Sequence, residues 1–290
     1  MRDSFINSLT KYARSNKKIF LIVGDLGFSV IENFKKVNPR QFLNVGVAEQ
    51  NMASIAAGIA SEGFQVFIYS IANFSTFRCA EQIRNDIDYH KLPVTVVSVG
   101  GGVSYGSLGY SHHAIQDYGL MRLFPNFSII APGDPMETEA CMNYIISKPA
   151  PYYLRLTKSN EKNFFINSPK IYPGRLNIVR ESKNNKILLS TGSALATSFN
   201  MIAKKKFSNY GIYTLPVWGQ KYKHNLYNEL RKFDEVISIE DHIEDCGFGS
   251  WICESIGVNN INKLELKSMS FKTDIFGKVG SRNFLEGLII

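Results

Sequence analysis

One carboxylate, Glu49, stands where an extended apolar segment changes into a run of small apolar residues. Residues 42–47 precede it with the pattern of a strand, and residues 52–60 follow it as a helix too apolar to face water. A glutamate in the first turn of a helix complements the positive end of the helix dipole, which is a common structural role. A dry interior also favours the protonated form of a carboxyl group, so that Glu49 could exchange a proton near neutral pH. Its position supports both interpretations.

Two further segments carry side chains that could surround such an acid. Phe74 and Phe77 are spaced so that one helix face would present both rings, either to the core or to a planar ligand. His112 and His113 are adjacent, and imidazole transfers protons near neutral pH. A metal site is the weaker interpretation, because no carboxylate or thiol cluster at ligand spacing accompanies the two histidines in the sequence.

The segment from Gly46 to Asn51 resembles the signature of the pyrimidine-binding domain of transketolases and related thiamine diphosphate enzymes. In that family the matching glutamate hydrogen-bonds the aminopyrimidine ring of the cofactor and promotes loss of the thiazolium proton. The resemblance therefore implies that Glu49 activates thiamine diphosphate. It covers nearly the whole chain, as a pyrimidine-binding domain followed by a transketolase C-terminal domain.

The resemblance also implies roles for residues around this glutamate. Phe74 and Phe77 match aromatic residues that stack on the aminopyrimidine, and Ile71 stands where an aromatic residue is often found. Asp25 matches an aspartate that helps to position the cofactor. His112 matches a histidine that enters the active site beside the cofactor, where it would be catalytic and contact the substrate.

The expected substrate contacts are less regular. Arg155 and Lys158 match a strand end where the family binds the substrate phosphate, and a lysine can hold phosphate without the bidentate fork of arginine. They could instead be two exposed basic residues at a domain edge. In a glycine-rich loop that follows a predicted strand, Gly100 stands where sugar-phosphate transketolases usually carry histidine. Leu108 replaces an aspartate that contacts a substrate hydroxyl. These losses remove polar contacts to hydroxylated sugars, so the donor and acceptor stay open.

Strands and helices alternate along the chain, which predicts an α/β fold with mainly parallel sheets flanked by helices. We expect a first domain over residues 1–160, a polar linker over 161–185 and a second domain over 186–290. The predicted elements of the first domain are helices over 1–16 and 74–88, another helix after residue 135, and strands over 19–23, 42–47, 65–69, 94–99, 127–130 and 152–156. Those of the second domain are strands over 187–190, 210–213 and 236–240 and a helix from about residue 194.

Composition limits the remaining function classes. The net charge of +8 is spread over the chain without a basic stripe that carries interleaved aromatic residues, so we expect no nucleic-acid binding. No stretch approaches the roughly 20 apolar residues of a membrane span. The four cysteines lack metal-ligand spacing, and the N-terminal segment has the pattern of an amphipathic helix and not of a signal peptide. These features predict a cytoplasmic protein with reduced thiols.

A further motif of the family is missing. Transketolases bind the cofactor diphosphate through Mg²⁺ with a Gly-Asp-Gly motif, and no such motif occurs in the 290 residues. The resemblance therefore implies the C-terminal subunit of a split transketolase, which moves a two-carbon ketol unit between a sugar or sugar-phosphate ketose and an aldose. A separate N-terminal subunit would supply the magnesium ligands in an α2β2 assembly, and we expect no metal ligand in this chain.

Three alternatives to this function stay open. A deoxyxylulose-phosphate synthase and the β chain of a 2-oxoacid dehydrogenase would share the glutamate but would decarboxylate a 2-oxoacid. A non-catalytic subunit that binds a partner and regulates it belongs to a different functional class.

Overall fold

The computed structural model describes residues 1–158, 162–259 and 264–289. Within them the strands are β1 (Ile19–Val23), β2 (Phe42–Asn44), β3 (Gln65–Ile71), β4 (Val94–Val99), β5 (Ser128–Ile130), β6 (Tyr152–Leu156), β7 (Asn177–Arg180), β8 (Lys186–Ser190), β9 (Gly211–Thr214), β10 (Val217–Trp218), β11 (Glu235–Ile243) and β12 (Glu265–Phe271). The α-helices are α1 (Arg2–Ser15), α2 (Glu32–Val37), α3 (Glu49–Ser61), α4 (Ala72–Thr76), α5 (Ala80–Gln82), α6 (Asp117–Met121), α7 (Pro135–Ser147), α8 (Ala194–Ile202), α9 (Lys223–Leu230), α10 (Phe248–Asn259) and α11 (Arg282–Glu286). None of the helices in these ranges has the length and apolar character needed to span a membrane.

The first sheet has the strand order β10-β5-β6-β4-β3-β1-β2, and all its pairings are parallel except that of β10 with β5. Alternate residues of its central strands enter two different cores, one with α1 and α7 and one with α3. Every residue of β4 is buried, as expected of a parallel strand that is covered on both faces. Helix α3 begins at the edge of this sheet that is formed by the carboxyl ends of the parallel strands.

The second sheet has the order β12-β11-β8-β9-β7, and only β7 runs antiparallel to its neighbour. These two mainly parallel sheets with flanking helices confirm the predicted fold class. The predicted linker contains β7, and β10 from the predicted second domain joins the first sheet. The predicted domain boundary at residues 160–161 lies outside the described residues.

Two predicted elements differ from the structure. The strand before Glu49 ends at Asn44, because Gly46 turns the chain with a φ of +74° and Val47 is 73% exposed. The helix predicted over 74–88 is divided into α4, a 3₁₀ turn, α5 and a π-helical segment over Ile83–Asp88. The hydroxyl of Thr76 donates to the carbonyl of Ala72, four residues earlier, at 2.7 Å. Such hydroxyl bonds compete with regular helical pairing and bend helices.

Candidate active site

Glu49 is the first residue of α3 and lies at the carboxyl edge of the first sheet. The chain enters α3 from an exposed turn, without a side-chain cap at Ala48. Glu49 itself is only 3% exposed. The carboxyl ends of parallel strands are the usual place for ligand sites in α/β folds. The sequence pattern therefore located a buried carboxylate at the edge where such a site is expected.

Two side chains from other elements bind the carboxylate of Glu49. Ser70 on β3 donates its hydroxyl to Oε1 at 3.1 Å, and Arg78 donates from Nη1 to Oε2 at 3.0 Å. The Arg78 side chain is 45% exposed, whereas that of Glu49 is 2% exposed. Beside them lies a cavity of about 440 Å³, lined by residues 47–51 and Arg78. The ion pair thus joins the buried carboxylate of Glu49 to a half-exposed arginine that lines an open cavity.

The ring of Phe74 contacts the same ion pair. The guanidinium carbon of Arg78 lies 3.7 Å from the centre of the Phe74 ring, which is a stacking distance. The His112 ring meets Phe74 edge-on, with ring centres 5.4 Å apart. Arg78 therefore stacks on Phe74 and hydrogen-bonds to Glu49, the two contacts that a planar nitrogen heterocycle would make here. The planar guanidinium of Arg78 thus lies between the carboxylate of Glu49 and the ring of Phe74.

The other three residues predicted to bind the cofactor, Asp25, Ile71 and Phe77, have different surroundings. Asp25 is exposed after the end of β1, and its Oδ1 accepts a hydrogen bond from Nδ2 of Asn44 at 3.0 Å. This bond joins the ends of β1 and β2 beside the turn that leads into α3. Ile71, the last residue of β3, lines a second cavity of about 190 Å³. Phe77 is 48% exposed and makes no ring contact within the described residues, so it does not join the aromatic cluster.

Arg155 is not available to a substrate, which corrects the expectation from the sequence. It is 3% exposed and forms buried ion pairs with Asp117 and Asp241, each at 2.6 Å. Its other N–H groups donate to the Tyr118 hydroxyl and to the carbonyls of Ala114 and Asp241. All five guanidinium donors are thus bonded within the chain, and none is left for a phosphate. The residue joins the two sheets.

Lys158, in contrast, is exposed two residues beyond the end of β6. Its ammonium nitrogen lies 5.3 Å from the centre of the Tyr105 ring. The Tyr105 ring in turn lies 6.2 Å from the ring of His112. Lys158 is therefore connected through Tyr105 to the cluster around Phe74, whereas its neighbour Arg155 is not.

The two adjacent histidines have different surroundings. His112 is partly buried, and its Nδ1 lies 3.0 Å from the Ser111 hydroxyl. His113 is buried with Nε2 at 3.4 Å from the carbonyl oxygen of Gly106, and burial lowers the pKa of its imidazole. In the part of the chain that the structure describes, no group of three or more histidine, cysteine, aspartate or glutamate side chains could hold a metal ion. The histidine that meets the aromatic cluster is His112.

Several members of this site were missed from the sequence. Arg78 lies 29 residues after Glu49, and Ser70 lies 21 residues after it, so their contacts depend on the order of strands in the sheet. Tyr105 and Arg2 line the smaller cavity, and the Nε of Arg2 lies 3.7 Å from Oδ1 of Asp3. The one available signal was a basic residue directly after the Phe74–Phe77 segment.

Comparison with known proteins decides the family. The sequence profile of the transketolase pyrimidine-binding domain matches residues 1–162, which is more than half of the chain. This chain belongs to the transketolase family. It is 30% identical over 291 residues to a putative transketolase C-terminal section of Methanocaldococcus jannaschii, a match that covers 98% of this chain and 90% of the relative.

Other transketolase-family relatives agree with this match. An apulose-4-phosphate transketolase subunit of Phocaeicola vulgatus is 28% identical over 267 residues, covering 90% of this chain and 84% of the relative. A solved split-gene transketolase, described as an inactive β4 tetramer, superposes with a TM-score of 0.83 at 27% identity and covers 99% of this chain and 93% of that one. A 1-deoxy-D-xylulose-5-phosphate synthase of Pelotomaculum thermopropionicum is 29% identical, but the match covers 40% of it.

Proposed function

We propose that this transketolase-family chain is the C-terminal subunit of a two-chain, thiamine diphosphate-dependent transketolase. The complex would move a two-carbon ketol unit from a ketose to an aldose. The observation that carries the proposal is the buried carboxylate of Glu49, which shares a planar cation with the ring of Phe74. A site that binds a guanidinium in this way offers the same stacking face to an aminopyrimidine, and the same carboxylate would accept a hydrogen bond from its ring nitrogen when that nitrogen carries a proton.

Each residue of the cluster has a role in this proposal. Thiamine diphosphate, when bound, supplies a carbon nucleophile that adds to the ketose carbonyl and holds the electron pair while the carbon–carbon bond breaks. Glu49 would bind the aminopyrimidine ring in place of Arg78, and the Ser70 hydroxyl would keep the carboxylate oriented. Phe74 would support the ring by stacking. Asp25 and Ile71 are proposed to complete the wall around it, and Phe77, which lies outside the aromatic cluster, is left out of this assignment.

The substrate would lie between His112 and Lys158. His112 would exchange protons with a sugar hydroxyl, since an imidazole can both donate and accept a proton near neutral pH. Lys158 would hold the substrate phosphate as a point charge. Arg155 has no free donor and is left out of this assignment.

The diphosphate end of the cofactor is assigned to a partner. The sequence has no Gly-Asp-Gly motif, so we place the magnesium ligands on a separate N-terminal subunit. Two relatives, one a transketolase subunit and the other a putative transketolase C-terminal section, support a split enzyme. We propose an α2β2 complex with its active sites at the interface between unlike chains. A cytoplasmic location suits its four free cysteines.

Reconstitution tests the proposal. The chain is combined with an N-terminal subunit, thiamine diphosphate and Mg²⁺, and transfer is measured between sugar and sugar-phosphate ketoses and aldoses. We expect turnover only when both subunits and the cofactor are present. Glu49→Ala should lower kcat by about 10²–10⁴-fold, the usual range for loss of a positioned acid or base. The control is Glu62→Gln, an exposed glutamate just past the end of α3.

Other outcomes of the same screen would replace the proposal. Turnover by the chain alone, or an unchanged kcat in Glu49→Ala, would contradict it. Release of carbon dioxide from pyruvate would favour a deoxyxylulose-phosphate synthase or a 2-oxoacid dehydrogenase. Stable binding of the partner without any cofactor-dependent turnover would favour a regulatory subunit.

A further inference from the structure

In the loop after β4, the ring of Tyr105 occupies the space that a side chain at position 100 would take. Gly100 has a φ of +88°, and Gly102 exchanges two backbone hydrogen bonds with Ala114, at 2.9 and 2.8 Å, which fold the loop back. A Cβ atom on Gly100 would lie 2.1 Å from Cε2 of the Tyr105 ring. A side chain at position 100 and the present position of Tyr105 therefore exclude each other.

Tyr105 connects two parts of the proposed site. Its ring lines the 190 Å³ cavity together with Ser70, whose hydroxyl bonds to the carboxylate of Glu49. The same ring lies 6.2 Å from His112 and 5.3 Å from the ammonium of Lys158. A substrate that extends from the Glu49 cluster to Lys158 would therefore pass along the face or edge of this ring.

The surface that such a substrate meets is largely apolar at its centre and basic at its margins. Tyr105 offers an aromatic ring, and Leu108 of the same loop is 56% exposed. A sugar hydroxyl pressed against the face of the Tyr105 ring or against the Leu108 side chain would lose water without gaining a hydrogen-bond partner, whereas a CH₂ or CH₃ group would lose no hydrogen bond. The exposed ammonium of Lys158 can bind an anionic group.

We infer that Tyr105 is a specificity-determining residue that selects anionic sugars with a deoxygenated carbon. The inference rests on the proposed function, because it requires a sugar substrate to reach the Glu49 cluster. Tyr105 packs against the deoxygenated carbon and takes no part in making or breaking bonds. Apolar surfaces reject an added hydroxyl only modestly, so the preference should be about 10–100-fold.

The test compares matched hydroxylated and deoxygenated aldose phosphates with the reconstituted complex. Ribose 5-phosphate, 2-deoxyribose 5-phosphate and 3-deoxyribose 5-phosphate are the acceptors, and the ratio of kcat/KM values is the readout. The corresponding alditol phosphates, which cannot react, are titrated by calorimetry as a second readout that needs no turnover. Tyr105→Ala and Tyr105→Leu remove the ring, and Tyr105→Phe keeps it. Tyr110→Ala is the control, because Tyr110 lies nearby in the chain but packs on Phe276.

We expect the wild type, Tyr105→Phe and Tyr110→Ala to prefer at least one deoxygenated sugar by about 10–100-fold. The Ala and Leu variants should lose at least about five-fold of that preference in both readouts. A preference for the hydroxylated sugars throughout, or the wild-type ratio in Tyr105→Ala, would overturn the inference while leaving the proposed function intact. Absence of cofactor-dependent turnover in the wild type would contradict the proposed function, and the alditol titration would still decide the role of Tyr105 in binding.

Discussion

At the scale of single residues, the site is built on a charge whose surroundings the sequence does not reveal. The strand-to-helix change predicted a buried Glu49, and the resemblance to the family predicted Phe74 nearby. Their contacts with Ser70 and Arg78 were not predictable, because they join segments that only the sheet order brings together. Arg78, which directly follows the Phe74–Phe77 segment in the sequence, is the ion-pair partner of Glu49.

Arg78 occupies the place proposed for the aminopyrimidine ring, so its removal should favour the cofactor. We expect Arg78→Ala to raise the affinity of the reconstituted complex for thiamine diphosphate several-fold, measured by calorimetric titration. The isolated subunit should lose about 1 kcal/mol of unfolding free energy, since the buried Glu49 carboxylate loses a half-exposed partner. Arg84→Ala, which removes an exposed arginine that donates to Oδ1 of the adjacent Asn85, should change neither value. A weaker affinity in Arg78→Ala would mean that Arg78 holds the cofactor.

At the scale of elements, the carboxyl end of β6 separates two basic residues that the sequence placed together. Arg155 lies within the buried strand and Lys158 lies past its end, and this difference of three positions decides their environments. The resemblance to the family assigned both residues to a phosphate site, although charged side chains in buried strands are usually paired. Its carboxylate partners lie on α6 and β11, so only the packed structure assigns it to the junction between sheets.

Replacement of Arg155 should therefore affect stability, whereas replacement of Lys158 should affect substrate binding. Arg155→Met should lower the unfolding free energy by about 3–5 kcal/mol in urea denaturation, because it leaves two buried carboxylates without their cationic partner. Lys158→Met should change stability by less than about 0.5 kcal/mol but should raise KM for a phosphorylated sugar in the reconstituted complex. Equal stability of the two variants would contradict the assignment of Arg155 to the junction.

At the scale of the whole molecule, the alternating pattern predicted most strands and the two-sheet architecture. The pattern did not predict β10, because this strand is only two residues long. β10 follows β9 of the second sheet in the chain but pairs with β5 of the first sheet. The buried carboxyl of Glu137 on α7 adds a polar link. It accepts hydrogen bonds from Asn177 on β7 at 2.9 Å and from Thr214 on β9 at 2.5 Å. Such contacts carry no sequence signature.

Glu137 should make the stability of the molecule depend on pH. Burial raises the pKa of its carboxyl to about 7, although hydrogen bonds from Thr214, Asn177 and Gly133 oppose the shift. The unfolded chain ionises near 4.5, so the folded state holds a proton that the unfolded state has lost, and rising pH favours unfolding. The unfolding free energy of the wild type minus that of Glu137→Gln should fall between about pH 5 and pH 8, by on the order of 2–3 kcal/mol. The exposed Glu139→Gln on the same helix should show no such change, and a flat difference for Glu137→Gln would refute the link.

The central claim, that Glu49 activates thiamine diphosphate, is tested most directly by the exchange of the thiazolium C2 proton for deuterium. Nuclear magnetic resonance after rapid quenching measures this rate in the reconstituted complex without any sugar present. Glu49→Gln should lower the exchange rate by about 10²–10⁴-fold while the complex still binds the cofactor. A rate equal to that of the wild type, with the cofactor bound, would contradict the account.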